Sequence, residues 1–344
     1  MNSTLSSPHV HGLASVSRTM LRVCYALIPA LIGSLWIFGW GIVLNALWAI
    51  GAALLAEALV LALRRRPVLG TLQDGSALLT ALLLAIALPP LAPWWLVVIG
   101  SAFAIIFAKQ LYGGLGFNPF NPAMVGYVLL LVSFPQEMTS WAAPAALRSA
   151  DLNLWQTLHY SLYGQLPGGL SIDALTSATA LDTLKIQLNL GHSISEIRQA
   201  TLFGQFGGKG WEIVNGLILL GGLWLIWKRV IGWQAPAGLL GTLAAMATLF
   251  HLINPDLYAG PLFHLASGGA LLGAFFIVTD PVSGATSLRG QLVFGIGAGL
   301  LTYIIRTFGS FPDGIAFAIL LMNLAAPTID YYTQPRVYGH NRRS

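Results

Sequence analysis

Charge is what this sequence has least of. Of its 344 residues, 8% are Asp, Glu, Lys or Arg, against 56% hydrophobic. A soluble domain carries roughly 25% charged residues, so a water-covered globule is excluded and the excess apolar surface must face lipid. Cysteine is nearly absent as well. Cys24 stands alone, which excludes an intrachain disulfide, a CxxC redox pair and a four-cysteine cluster; within an apolar run it reads as inert packing. There is no HExxH, no Cys/His metal cluster and no P-loop, and Gly113-Gly-Leu-Gly116 lacks the lysine and flanking strand of a phosphate loop. No metal ligands and no NADH or iron–sulfur site are expected. The basic balance, 17 Lys and Arg against 12 Asp and Glu, sits at the ends of apolar stretches, as topogenic charge does, so no nucleic-acid partner is expected. About twenty mostly polar residues precede the first apolar run, and no convincing small-x-small site follows it. That run is expected to stay in the protein as a span rather than to be cleaved.

What is present is a series of apolar runs. Ten membrane spans are expected, at about 21–39, 42–63, 77–90, 93–109, 122–134, 211–228, 235–253, 263–279, 291–308 and 312–328. Several are short and interrupted by Gly or Pro. With the N-terminus inside, twelve of the seventeen basic residues fall on the inner side, led by Arg64-Arg65-Arg66 after the second span. Arg148, Lys185, Arg198, Lys209 and Arg306 fall outside. The plan is a cytoplasmic segment 1–20, a first membrane repeat 21–134, an outer polar segment 135–210, a second membrane repeat 211–328 and a cytoplasmic tail 329–344.

The two membrane parts resemble each other. A shift of 193 residues lays Gly75-Ser-Ala-Leu-Leu-Thr-Ala81 on Gly268-Gly-Ala-Leu-Leu-Gly-Ala274, Pro119 on Pro312, and the first span on the sixth. Two independently Gly-rich helices would give part of that match. Five spans per half force the second copy to insert upside down, the inverted-repeat plan in which broken helices meet near the midplane. The expected fold class is an all-α polytopic membrane protein of about ten helices in two inverted five-helix repeats, with 75–90 and 268–283 as the paired broken helices.

Few polar groups lie at membrane depth. Glu57 is the one acid well inside a span, facing either the bundle interior or the interface. Lys109 ends the fourth span, where snorkelling is the default. Asp280 precedes Pro281 and suits a turn as well as an ion. His251 and His264 read as hydrated interfacial histidines. Trp94, Trp95, Trp141, Trp211 and Trp233 mark span ends, as an interfacial belt does.

The outer segment contains Asp173-Ala-Leu-Thr-Ser-Ala-Thr179-Ala-Leu-Asp182-Thr. Thr179-x-x-Asp182 matches a capping box opening a helix over 180–190, and an ordinary N-cap is the plain reading of such a string. Longer runs carry more. Pro89-Pro-Leu-Ala-Pro-Trp-Trp95, Ala108-Lys-Gln-Leu-Tyr-Gly-Gly-Leu-Gly116, Asn118-Pro-Phe-Asn-Pro-Ala-Met-Val-Gly-Tyr127, Gly273-Ala-Phe-Phe-Ile-Val-Thr-Asp-Pro281 and Ile329-Asp-Tyr-Tyr-Thr-Gln-Pro-Arg-Val-Tyr-Gly339 are such runs. With them the sequence resembles the RnfD (RsxD) subunits of the Rnf complex, and more distantly the NqrB subunits of the sodium-pumping NADH:quinone oxidoreductase.

The resemblance implies FMN attached by a flavin transferase, through a phosphoester, to the Thr of a D-x-x-[S/T]-x-A-T pattern. That pattern occurs at Asp173…Thr179 and again at Asp280…Thr286. The second is textually nearer the SGAT form of the NqrB relatives. The expected topology puts Thr286 inside, whereas the family's transferase acts outside. Thr179 is also followed by Ala-Leu-Asp-Thr, as in RnfD-type sequences, so Thr179 is the expected site and Thr286 the alternative. Lys185, about two turns along, is a candidate to offset the phosphate charge. The resemblance further implies a bacterial inner-membrane location and partner subunits of the A, B, C, E and G types. It implies electron transfer between NADH and ferredoxin coupled to Na+ or H+ movement, a non-covalent riboflavin in the membrane part, and a urea-transporter-like fold. The competing expectation is a passive channel or secondary transporter with the same repeat and no redox group.

Overall fold

The computed structural model describes residues 13–333, and these are helical for most of their length. The polar residues 1–12 and the tail arginines Arg336, Arg342 and Arg343 lie outside the described residues. The first half runs α1 (Leu13–Phe38), α2 (Gly41–Leu63), α3 (Val68–Leu72), α4 (Ser76–Ala87), α5 (Trp94–Phe103), a π-helical turn (Ala104–Gln110) and α6 (Pro122–Ser133). The segment between halves holds α7 (Pro135–Thr139), β1 (Trp141–Ala142), α8 (Leu154–Tyr163), β2 (Thr176–Ser177), α9 (Ala180–Asn189) and α10 (Ile194–Ile197). The second half runs α11 (Trp211–Trp227), α12 (Gln234–Ile253), α13 (Pro261–Ala266), α14 (Ala270–Leu272) with a second π-helical turn (Gly273–Ile277), α15 (Leu288–Phe308) and α16 (Ile315–Thr333).

Helices α1, α2, α12, α15 and α16 are long and apolar enough to cross a membrane, and the protein is a multi-pass membrane protein. Each of the ten expected spans coincides with helix, but not always with one crossing helix. Helix α4 has 12 residues, about 18 Å of rise against a hydrocarbon core of roughly 30 Å. The expected span 263–279 is broken at Ser267–Gly269 into α13 and α14. Helices α1 and α16 also overrun their expected spans, starting at Leu13 and ending at Thr333. Hydropathy marks where lipid contact stops, whereas a helix continues until its backbone is capped.

The breaks have a local cause. Gly75 (φ 77°) and Gly268 (φ 64°) hold left-handed backbone immediately before α4 and just before α14, a conformation that glycine adopts without a Cβ penalty. Helix ends are closed by side chains. The Asp74 carboxylate accepts the Ser76 backbone N–H at 2.7 Å, Asn121 caps α6 through Met124 N–H, and Ser287 caps α15 through Gly290 N–H. Helices α12 and α15 pack with almost no gap. A Cβ on Gly295 or Gly299 would lie 2.3 Å and 2.4 Å from the carbonyl oxygens of Ala235 and Leu239, the small-residue contact by which helices approach in lipid.

Three polar expectations change here. Lys109 does not snorkel: it is 1% exposed and its ammonium lies 2.5 Å from Glu57 Oε1, with Glu57 0% exposed. His264 is buried rather than hydrated, its carbonyl accepting from Arg306. Arg306, counted as an outer charge, is also buried and paired with Asp313. Helix packing offers the Lys109 and Arg306 charges carboxylate partners inside the bundle. Asp280 takes the turn role, accepting from Val282 N–H, Ser283 Oγ and Asn121 Nδ2. Cys24 is buried and unpaired.

Candidate functional site

Thr179 is the N-cap of α9. Its Oγ1 accepts the Asp182 N–H at 3.2 Å and donates to Asp182 Oδ2 at 2.6 Å. The two-residue strands β1 and β2 pair antiparallel, Trp141 opposite Ser177 and Ala142 opposite Thr176. This ladder fixes Thr179 two residues beyond β2, beside Trp141. Thr179 is half-buried and Ala178 exposed, so the hydroxyl can be approached from outside. Burial pushes the Asp182 carboxyl above the usual carboxylate range, against the lowering effect of the Thr179 hydrogen bonds.

Thr179 lines a cavity whose walls come from both halves. Its walls include Thr179 and Asp182 of α9, Trp141, Trp211, Tyr127 of α6 and Asp313. It encloses about 1200 Å³ of empty space, its open mouth included. Trp211 packs against Phe38 and edge-on to Trp141, both at 4.8 Å between ring centres. Composition alone places these two tryptophans in an interfacial belt. Tertiary packing also brings them into the wall of the cavity that Thr179 lines.

The far wall is held by charge. Arg306 donates to Asp313 Oδ1 and to the carbonyls of His264 and Ser267. Asp313 Oδ2 in turn accepts Gly269 N–H at 2.6 Å, so the break before α14 is tied to α15 and α16. A Cβ on Gly268 would meet Asp313 Oδ2 at 2.3 Å and Leu181 at 2.6 Å. Gly268→Ala is therefore expected to cost about 1–3 kcal/mol, from the left-handed backbone and the clash together. A thermal melt of the purified variant in detergent checks it.

Lys185 does not face the Thr179 hydroxyl. Its ammonium donates to the carbonyls of Ile305, Arg306 and Phe311, capping the C-terminal end of α15, where positive charge is favoured. Desolvation lowers its pKa. The spacing of two helical turns holds, but the long side chain reaches across to another helix. Lys185→Met is expected to remove about 1–2 kcal/mol of docking between α9 and α15. Faster amide hydrogen exchange over Ala180–Asn189 would reveal it.

The alternative Thr286 is exposed, with its N–H on Asp330. It precedes the N-terminus of α15, whereas α9 sits on the C-terminal end. A 21-residue helix is about 30 Å long, so the two candidate threonines stand at opposite ends of the bundle. Near the Thr286 end lies a second cavity, enclosing about 800 Å³ with its mouth. Ser76, Lys109, Asn118, Asn121 and Asp280 are among its lining residues. The Arg64–Arg66 end of α2 is at this side too, since Arg64 and Arg66 donate to the carbonyls of Gln110 and Gly113.

The profile of the NQR2, RnfD, RnfE family matches residues 3–339. The chain belongs to that family. Over 98% of both sequences it is 52% identical to the D subunit of the ion-translocating oxidoreductase complex of Escherichia coli O127:H6 (strain E2348/69 / EPEC). With the corresponding D subunit of Shigella dysenteriae serotype 1 (strain Sd197) it shares 51% identity over the same share of each sequence. Membership of this family over nearly the whole length confirms the resemblance read from the motifs. It also covers both threonine patterns, so the choice between Thr179 and Thr286 rests on the geometry above.

Proposed function

We propose that this protein is the D-type membrane subunit of an ion-translocating electron-transport complex and carries FMN as a phosphoester on Thr179. The observation that carries the reading is the placement of the Thr179 hydroxyl. It sits at the N-terminus of α9, half-exposed, in the wall of a cavity also lined by Trp141, Trp211 and Tyr127. When bound there, FMN accepts and passes on one or two electrons, joining carriers of different stoichiometry.

The residues present suit the group. A phosphate on Thr179 Oγ1 meets the free backbone N–H groups of the α9 N-terminus and the positive end of its dipole. Esterification removes the proton that Thr179 donates to Asp182. Burial raises the Asp182 carboxyl above its ordinary range, which eases its repulsion of the added phosphate. Trp141 and Trp211 would offer a bound flavin apolar aromatic surface. A non-covalent riboflavin, which the resemblance implies, is assigned to the second cavity, where Asn118 Oδ1 is buried without a partner.

Several features support two inverted repeats. The 193-residue shift carries the starts of α2, α3 and α6 onto those of α12, α13 and α16, and Gly75 onto Gly268. The same shift relates the walls of the two cavities: Phe38 to Ile231, Ile86 to Thr279, Gly269 to Ser76, Leu272 to Leu79 and Ile315 to Pro122. One cavity thus opens at each end of the bundle. By the inner-side excess of Arg and Lys, the Thr179 cavity faces outward, across a bacterial inner membrane with both termini inside. The relatives' names place them in a complex. We therefore assign partner subunits of the A, B, C, E and G types, a flavin transferase for maturation, and coupling to Na+ or H+.

The test is direct. Protein from cells with the transferase, run on a denaturing gel, is expected to fluoresce under ultraviolet light, with the FMN mass on the peptide containing Thr179. A dark wild-type band overturns the reading in favour of a channel or secondary transporter without a redox group.

A further inference from the structure

The segment between the two membrane halves contains a long stretch without charge. No Asp, Glu, Lys or Arg lies between Asp151 and Asp173, and α8 occupies its first part. The helix is closed by its own ends: Asn153 and Gln156 form a reciprocal capping box, and Gly164 follows with left-handed backbone (φ 71°). A helix on a water-facing surface buries its apolar side and shows its polar side. Helix α8 does the reverse. Its buried residues are Thr157 and Ser161. Thr157 Oγ1 donates to the Asn153 carbonyl at 2.8 Å, and Ser161 Oγ has no partner among the described residues. The other side carries Leu154, Trp155, His159 and Tyr163, all exposed, with Leu158 and Leu162 half-buried among them. These recur at helical spacing and form one stripe, in which Trp155 is 75% and Tyr163 68% exposed.

The stripe is continuous with the lipid-facing surface. Ala145 N–H bonds the Ile37 carbonyl at 2.9 Å, and Leu152 and Thr157 share a small cavity with Gly39 and Trp40 of the turn between α1 and α2. Helix α8 therefore lies at the Gly41 end of α2, away from Arg64–Arg66. Along its length α2 turns Leu47, Leu55, Leu59 and Leu63 outward, and Trp36 and Trp40 are exposed beside the turn. We propose that α8 is an interfacial helix that lies in the membrane plane with Leu154, Trp155 and Tyr163 inserted into the leaflet at the Thr179 end. Trp and Tyr suit that depth, where one end of the ring system is apolar and the other wet. The helix carries no cation, and Arg148 just before it is engaged by Asp151. Insertion thus draws on apolar area alone, and the partner is phospholipid of any headgroup rather than an acidic one. The anchor also reaches the candidate site. Ser149 Oγ donates to the Ala174 carbonyl at 3.1 Å and Ala143 N–H to the Leu175 carbonyl at 2.8 Å, so the flanks of α8 are tied to the chain that leads to Thr179. Inserting α8 sets the height of that threonine above the membrane.

The docking does not rest on the flavin reading, and its test needs no redox activity. Full-length protein with Cys24→Ala and one added cysteine, Trp155→Cys or Tyr163→Cys, is labelled with the fluorophore NBD. It is reconstituted into phosphatidylcholine vesicles, both alone and in the assembled complex. A lipid nitroxide placed near the headgroup is expected to quench both positions about twofold relative to nitroxide-free vesicles, while aqueous iodide quenches them little. A helix lying flat holds both labels at one depth, so shallow and deep nitroxides should quench in the same ratio at 155 and 163. A helix standing upright would separate the two positions by about 12 Å, and unequal ratios overturn the proposal. Full iodide quenching without nitroxide quenching overturns it as well, because the stripe then faces water. Nitroxide quenching that vanishes in the assembled complex overturns it in favour of a partner subunit covering the stripe. Adding phosphatidylglycerol is expected to change nothing, and quenching that requires it overturns docking by apolar area alone.

Discussion

Thr179→Ala is expected to abolish the flavin fluorescence of the protein on a denaturing gel, while Thr286→Ala leaves it at the wild-type level. The effect is all-or-none because a phosphoester needs the hydroxyl, and alanine has none. It is separable from misfolding. Losing an N-cap threonine costs about 1 kcal/mol, a small fraction of the stability of a bundle this size, so the dark variant should still melt cooperatively within a few degrees of wild type. Thr179→Ser keeps an acceptor for Asp182 N–H and an esterifiable oxygen, and is expected to retain part of the fluorescence. Fluorescence lost in Thr286→Ala and kept in Thr179→Ala would move the site some 30 Å, to the other end of α15. In the assembled complex Thr179→Ala should also stop electron transfer. An unaffected rate would make this subunit a scaffold.

Arg306→Met is expected to lower stability by about 3–5 kcal/mol, the cost of stripping one partner from a buried ion pair, with Tm falling on the order of 10 °C. The side chain of Arg306 is 1% exposed and satisfies three acceptors at once: Asp313 Oδ1, the His264 carbonyl at 2.6 Å and the Ser267 carbonyl at 3.1 Å. Without it, two carbonyls at the break between α13 and α14 lose their donor and the Asp313 carboxylate keeps only the backbone N–H groups of Gly269 and Ile315. Arg306→Lys should recover little, since a single ammonium cannot span the three acceptors that the planar guanidinium fork reaches. Asp313→Asn is expected to be milder, because an amide oxygen still accepts from Gly269 N–H. Urea or thermal unfolding in detergent measures all three. A shift below about 1 kcal/mol for Arg306→Met would show that the pair contributes little and that apolar packing alone holds the break.

Particular residues show how far the sequence reaches. Apolar run length and Lys/Arg placement locate helix at all ten expected positions, because lipid exposure constrains composition directly. The N-cap at Thr179 is legible because a capping box is a local pattern whose two members are three residues apart. Lys109 and Arg306 are misjudged for the opposite reason. Their partners, Glu57 and Asp313, are identified only once helices are packed, and a sequence offers no distance between Glu57 and Lys109 across the helices that separate them. Lys185 is similar: its register on α9 is read correctly, but its three acceptors belong to α15 and the loop after it. Trp141 and Trp211 read as belt residues because composition reports depth and not neighbours.

The sequence by itself determined that this is a polytopic membrane protein of one recognisable family, with two copies of a pattern 193 residues apart and two threonines in the same local motif. Those properties follow from composition and short-range pattern, which need no third dimension. Only the tertiary structure decided which threonine opens onto an aromatic cavity, that the two threonines lie at opposite ends of the bundle, and that Lys109 is buried against Glu57. Each of these is a distance between distant segments. In a low-dielectric interior such distances decide whether a charge is paired or stranded.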